Sequence, residues 1–155
     1  MDQIRGVALV VVSPEGKILI LKELQEKPEL DKKSGMFSIP METCEIGEHN
    51  EEAIIRLVME ELPGLFVSVD SLAHIGSYQI VPEVWVQLFS MKVANTKLPN
   101  LDPANKEVSD HQWCNPREAL KLWLRRGAKE MISDFINKKL GITRQECEPS
   151  NGQEQ

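Results

Sequence analysis

At 155 residues the chain fits one domain, with room for a core that hides about two-thirds of the unfolded chain's surface. Its 41% hydrophobic and 27% charged residues describe an ordinary globular composition. A formal charge of −6 argues against a nucleic-acid polymer as bulk partner, although an acidic protein still binds phosphates locally through a cation. Cys44, Cys114 and Cys147 are odd in number, widely spaced and in no CxxC arrangement, so neither a disulfide framework nor a zinc site is indicated. They read as reduced thiols of a cytoplasmic protein.

In chain order, the apolar run 6–12 is too short to span a membrane and follows Asp2 where a signal peptide would carry basic residues, so it reads as a buried strand. Ser13-Pro14-Glu15-Gly16 is turn chemistry, and 17–22 returns as the second strand of a hairpin. The stretch 23–34, ELQEKPELDKKS, reads as a charged loop whose Lys32 and Lys33 either meet phosphate or are simply solvated. Gly35 and Pro40 bracket a short apolar strand.

Over 51–62 the periodicity becomes helical, with Ala53, Ile54, Leu57, Val58 and Glu61 three or four residues apart. Arg56 and Glu60, four apart, are within ion-pair reach on one face. Glu60 and Glu61 end the helix against the negative end of its dipole, where acids are unfavourable. A divalent cation would offset that cost, because hard ions such as Mg2+ take one or two carboxylates plus substrate phosphates. The plain alternative is a solvated acidic face. Pro63-Gly64 supplies the helix stop.

Strands are expected around 72–75 and over 83–93, the latter carrying Trp85, Phe89 and Met91 on one face. That stripe reads as core, with Trp85 or Tyr78 as the alternative stacking surface for a base. The segment 94–106 lacks an apolar period and reads as a loop able to close over a site. A short strand follows over 107–113. Asn115, Pro116 and Glu118 then supply an N-cap, a first-turn proline and a capping-box acid for a helix over 116–126, ended by Gly127. A last helix over 129–140 stops at Gly141, leaving a single domain over 1–141 and a polar tail over 142–155. His49, His74 and His111 share no zinc-like spacing, and Cys44 has no activating neighbour in sequence. The pattern alone gives an α+β chain or a mixed sheet with helices.

The spacings over 35–65 resemble the Nudix box, G-x5-E-x7-R-E-U-x-E-E-x-G-U with U a bulky apolar residue. Glu48 stands for the first glutamate, HNEEAII separates it from Arg56, Val58 is the apolar position, and Glu60 and Glu61 are the terminal pair. Phe37-Ser38-Ile39-Pro40 resembles the strand that precedes the box, and EVSDHQW followed by CNPREALKLWL resembles a second family pattern. Three positions depart. Met41 and Glu42 stand where two glycines are expected, Leu57 replaces the glutamate after Arg56, and Pro63 takes a glycine's place.

The resemblance implies the Nudix fold, an α/β/α sandwich around a mixed β-sheet. It also implies a Mg2+- or Mn2+-dependent hydrolase that cuts the diphosphate of a nucleoside diphosphate linked to another group, with a small-molecule nucleotide as substrate, no membrane partner and a possible homodimer. Glu60 and Glu61 would be metal ligands, Glu48 a ligand or supporting acid, and Arg56 their orienter; substrate-binding residues stay unassigned. Leucine neither coordinates a metal nor accepts a proton, so Leu57 removes a group whose role as general base contributes about 10^2 to 10^4 in rate. Glu107 is the candidate replacement acid, with Glu42 and Glu45 behind it. The alternative is a catalytically impaired Nudix-fold module that binds a nucleotide or regulates a partner.

Overall fold

The computed structural model describes residues 3–23, 28–30, 33–97 and 108–139. At its centre is β1 (Ile4–Val12), buried without interruption from Val7 to Val12. A strand with both faces covered reads as a continuous apolar run, which explains why GVALVVV carries no alternation. Ala8, Val10 and Val12 point into one apolar cluster, while Val7, Leu9 and Val11 point into another. The strand is therefore the middle layer of a sandwich.

Around β1 the sheet runs β3 (Phe37–Ser38), β2 (Ile18–Glu23), β1, β6 (Val84–Lys92), β5 (Ala73–Val81), with β4 (Met41–Thr43) also alongside β1 and β7 (Val108–Cys114) alongside β2. The β1–β6 pair is parallel and the other pairs are antiparallel, so the sheet is mixed. Helix α1 (Asn50–Glu61) covers one face through Ala53, Ile54, Leu57 and Val58, packed with Val7, Leu9, Val11, Leu19, Phe89 and Met91. Helix α3 (Ala128–Lys139) covers the other through Met131, Ile132, Phe135 and Ile136. Each large side chain fully buried this way, Ile54 and Leu57 among them, contributes about 1.5–3 kcal/mol.

The expected hairpin is present: Ser13 and Lys17 close the turn by backbone and side-chain bonds of 2.8 and 3.0 Å, and Val12 faces Ile18. Three expectations change, and one segment without an assignment becomes a strand. The helix expected over 116–126 shrinks to α2 (Pro116–Ala119), capped by Asn115 Oδ1 accepting from the Arg117 amide at 3.0 Å. Its remainder is drawn out beside β3, where the Phe37 amide donates to the Trp123 carbonyl and the Arg125 amide to the Phe37 carbonyl, both at 2.7 Å. The strand expected around 72–75 extends through Val81, because β6 offers a partner over that whole length. Met41–Thr43, unassigned in sequence, pairs as β4 with Gly6, Val7 and Ala8.

The third changed expectation is Glu23, which belongs to β2 and not to a solvated loop. Its carboxylate lies 3.3 Å from Arg125 Nη1, with the two side chains 5% and 10% exposed. Of the lysine pair, Lys33 is exposed and Lys32 falls outside the described residues.

Candidate active site

The loop leading into α1 is tied down at several points. The Cys44 amide donates to the Arg5 carbonyl at 2.8 Å, and the Arg5 guanidinium reaches back to the Glu48 carbonyl at 2.9 Å and to Asn50 Oδ1 at 3.2 Å. Gly47 sits at φ 80°, a left-handed conformation that costs a residue with Cβ. The turn there lets the Glu48 amide bond the Glu45 carbonyl while Glu48 Oε1 accepts from the Glu45 amide at 2.9 Å. At the start of the helix the His49 amide donates to Glu52 Oε1 at 2.8 Å, the reciprocal half of a capping box.

Arg56 is the hub of what this loop presents. Its Nε and Nη2 donate to the two carboxylate oxygens of Glu48, each at 3.0 Å, a bidentate clamp. Nη2 also donates to the Thr43 carbonyl at 2.7 Å. Nη1 faces Glu42 Oε2 at 3.3 Å and Glu60 Oε1 at 3.5 Å. One guanidinium thus holds three carboxylates drawn from β4, the entry loop and α1.

The carboxylates respond differently. Arg56 hydrogen bonds hold Glu48 well below the usual range, at about 2, and Glu48 in turn pushes the guanidinium up. Burial pushes Glu42 up to about 7, helped by a hydrogen bond with the Glu60 carboxyl and opposed by Arg56. Burial and a neighbouring carboxyl both disfavour the charged form of Glu42, so it holds its proton toward neutrality. A carboxyl whose folded value exceeds its ordinary value of 4.5 adds stability that is complete below 4.5 and is lost as pH rises through about 7. Glutamine at 42 mimics the protonated form, so in chelator Glu42→Gln is expected to melt above wild type at pH 8 and level with it near pH 4; a thermal melt series checks this.

The sequence-predicted residues are only partly gathered. Glu48, Arg56 and Glu60 meet, and the Glu60 side chain is 55% exposed. Glu61 is buried on the side of α1 that carries Leu57, and its carbonyl accepts from the ring of His111 at 3.1 Å. His111 is itself buried, and burial lowers its basicity, so it serves as a neutral donor. Leu57 is fully buried in the apolar cluster. Glu107 lies outside the described residues, and Glu45 is exposed. Glu42 joins Glu48 and Glu60 through Arg56 at 3.3 Å, and its signal in the sequence is a carboxylate standing at a glycine position. Beside the Arg5 end of α1 opens a groove of about 800 Å³ lined by Arg5, Glu48, Asn50, Ser77, Trp85 and Gln87. Of the two aromatic candidates for stacking, Trp85 lies in this groove, whereas Tyr78 is buried with its hydroxyl on Asp134 Oδ2 at 2.6 Å.

The NUDIX domain family model matches residues 2–135. The chain belongs to the Nudix family. Among solved structures it is similar to the NUDIX domain of Shewanella oneidensis NrtR complexed with ADP ribose, at 13% identity over 90% of each chain with a TM-score of 0.69. It is also similar to MutT from Aliivibrio salmonicida and Vibrio cholerae, at 17% identity over 88% of this chain and 99% of that one, with a TM-score of 0.68. A third is a bifunctional NMN adenylyltransferase/ADP ribose pyrophosphatase from Francisella tularensis complexed with AMP and a Mn ion, at 14% identity over 88% of this chain and 42% of that one, TM-score 0.65. No curated protein matches the chain in sequence. At these identities the likeness establishes the Nudix fold, an α/β/α sandwich around a mixed sheet.

Nudix enzymes generally use divalent metals, so the donor set here bears on whether this chain can hold one. Among the described residues no three His, Cys, Asp or Glu side chains are gathered as a complete cage. The Glu42–Glu60 pair nevertheless fits the hard oxygen donors that Mg2+ or Mn2+ takes: both carboxylates face Arg56 Nη1, at 3.3 and 3.5 Å, and Mg2+ asks a protein for only one or two carboxylates. Glu48 is already engaged through both oxygens by Arg56.

Proposed function

We propose that this Nudix protein is a divalent-metal-dependent pyrophosphohydrolase that cuts the diphosphate linkage of a nucleoside diphosphate joined to a second group. The observation that carries the reading is Arg56 clamped to Glu48 at 3.0 Å while it faces Glu60 at 3.5 Å, the box residues in contact at the end of α1. Glu60 and Glu61 are the proposed metal carboxylates, with Mg2+ or Mn2+ as the ion. Glu48 is the acid that fixes Arg56, and Glu107 is a candidate base from the segment before β7. When bound, the ion neutralises phosphate oxygens and makes a coordinated water more acidic.

The chain's own part is electrostatic. Carboxylates alone would repel a diphosphate, and Arg56 offsets part of that charge while keeping Glu60 aimed away from the apolar core. Phosphoryl transfer needs little covalent work from the protein, so this kind of positioning carries most of its share. The free thiols Cys44 and Cys114 fit a reducing, cytoplasmic setting. Among the described residues no helix is long and apolar enough to cross a membrane.

The test is product release from a panel of nucleoside diphosphate derivatives and nucleoside triphosphates, with Mg2+, with Mn2+ and with chelator. Turnover is expected to need the ion and to fall about 10^2-fold or more in Glu61→Gln. Turnover that survives both chelation and Glu61→Gln would overturn the proposal. A second reading, a nucleotide-binding or regulatory module without turnover, is favoured by one observation: Leu57 is fully buried and puts an alkyl group where the box has a carboxylate. Nucleotide binding by calorimetry with no product from any panel member would favour that module.

A further inference from the structure

We propose that Glu42 supplies the carboxylate that α1 lacks at Leu57, so that the metal side of the cleft is built from β4 as well as from the helix. The inference rests on the metal-dependent reading above and concerns which residue completes it. Two departures from the box, an acid at a glycine position and an alkyl group at an acid position, are separate in the sequence. In the fold both stand next to Arg56, Leu57 as its neighbour in α1 and Glu42 through a carboxylate 3.3 Å from Nη1.

The sheet register shows how. Glu42 is the Cα partner of Val7, and partners across a strand pair share a face. Val7 belongs to the cluster under α1 that contains Leu57 and Val58. Glu42 therefore projects toward α1, where a glycine would present no side chain at all. Its Oε2 reaches 3.3 Å from Arg56 Nη1, the nitrogen that Glu60 Oε1 faces at 3.5 Å. Leu57 follows Arg56 directly in the helix and is fully buried, with no oxygen to offer.

The exchange is conservative in charge. A glutamate lost from α1 and a glutamate gained on β4 leave the carboxylate count beside Arg56 unchanged, and the new donor enters from the strand. The side chains of Glu42 and Arg56 are 18% and 23% exposed, open enough for an ion and water to reach them. A hard cation that asks for one or two protein carboxylates can take Glu42 together with Glu60. Position 57 is then released to serve the core.

Binding of Mn2+ alone tests this without reference to turnover, using the full chain with calorimetry or the loss of free-Mn2+ paramagnetic signal as the readout. Glu42→Gln is expected to weaken Mn2+ binding about ten- to hundredfold, with an unchanged far-ultraviolet spectrum, while Glu42→Asp keeps most of the affinity. Glu60→Gln should weaken it as strongly. Wild-type affinity in Glu42→Gln, alongside a loss in Glu60→Gln, overturns the assignment of Glu42 and leaves the metal-dependent reading standing. The same holds if Glu107→Gln removes binding and Glu42→Gln does not. Absence of Mn2+ binding by the wild-type chain overturns both.

Discussion

Alanine at position 56 is expected to lower turnover of the best nucleotide substrate about 10^2-fold or more and to cost about 1–3 kcal/mol of stability. Arg56 makes two hydrogen bonds to Glu48 and one to the Thr43 carbonyl, and it neutralises Glu42 and Glu60. Without it three carboxylates from three segments face one another, and the entry loop loses its anchor on the helix. The stability part has a pH signature. Glu48, held at about 2 against an ordinary value of 4.5, contributes stability present above 4.5 and lost as pH falls through about 2. Denaturant titrations of Arg56→Ala should therefore lose that acid limb, and the two proteins should converge near pH 2.

Lysine in place of Arg56 separates charge from geometry. An ammonium keeps the positive charge but cannot grip both Glu48 oxygens in a planar fork. Arg56→Lys is expected to recover part of the stability and little of the turnover. Equal turnover in Arg56→Lys and wild type would show that the site needs only a cation there.

The largest single loss of stability is expected at Glu23. Glu23→Ala should cost about 3–5 kcal/mol, read as a fall in denaturation midpoint at constant slope, because Arg125 would be left buried without its carboxylate. Arg125 is already costly: its Nε is buried without a hydrogen-bond partner among the described residues. The pair links the end of β2 to the segment that runs beside β3, residues 102 apart in sequence. Replacing both partners by apolar groups, as Glu23→Leu with Arg125→Met, is expected to restore most of the loss, since the penalty comes from an uncompensated charge and not from the absence of a bond. A double variant as unstable as Glu23→Ala would instead make the pair itself the stabilising element.

Much of this architecture is written in local spacing. GVALVVV declares a strand covered on both faces, and Ser13 to Gly16 declares the turn after it. The three-and-four spacing of Ala53, Ile54, Leu57 and Val58 sets α1 on the sheet, and it also places Glu61 one turn beyond Leu57, on the buried stripe. The Arg56–Glu60 pair follows from helix geometry alone, and the order of Glu48, Arg56, Glu60 and Glu61 was enough to indicate the family and the chemistry to seek. These features share a cause: each depends on residues within a few turns of one another, where backbone geometry fixes the distances.

What failed to show in the sequence depends on pairing between distant segments. Nothing local marks Met41–Thr43 as a strand; it becomes one because β1 offers an edge to it. The helix over 116–126 stops at Ala119 because β3 takes up the backbone of Trp123 and Arg125. Glu23 reads as the first residue of a charged loop until Arg125 is brought 3.3 Å from it. Glu42 reads as a broken glycine motif until the register with Val7 turns it toward Arg56. The sequence by itself determined the central strand and its hairpin, the family and the box helix with its acids, because periodicity and fixed spacing are short-range. Only the tertiary structure decided which acids share Arg56 and which ion pair is buried, because those contacts are set by sheet register across the whole domain.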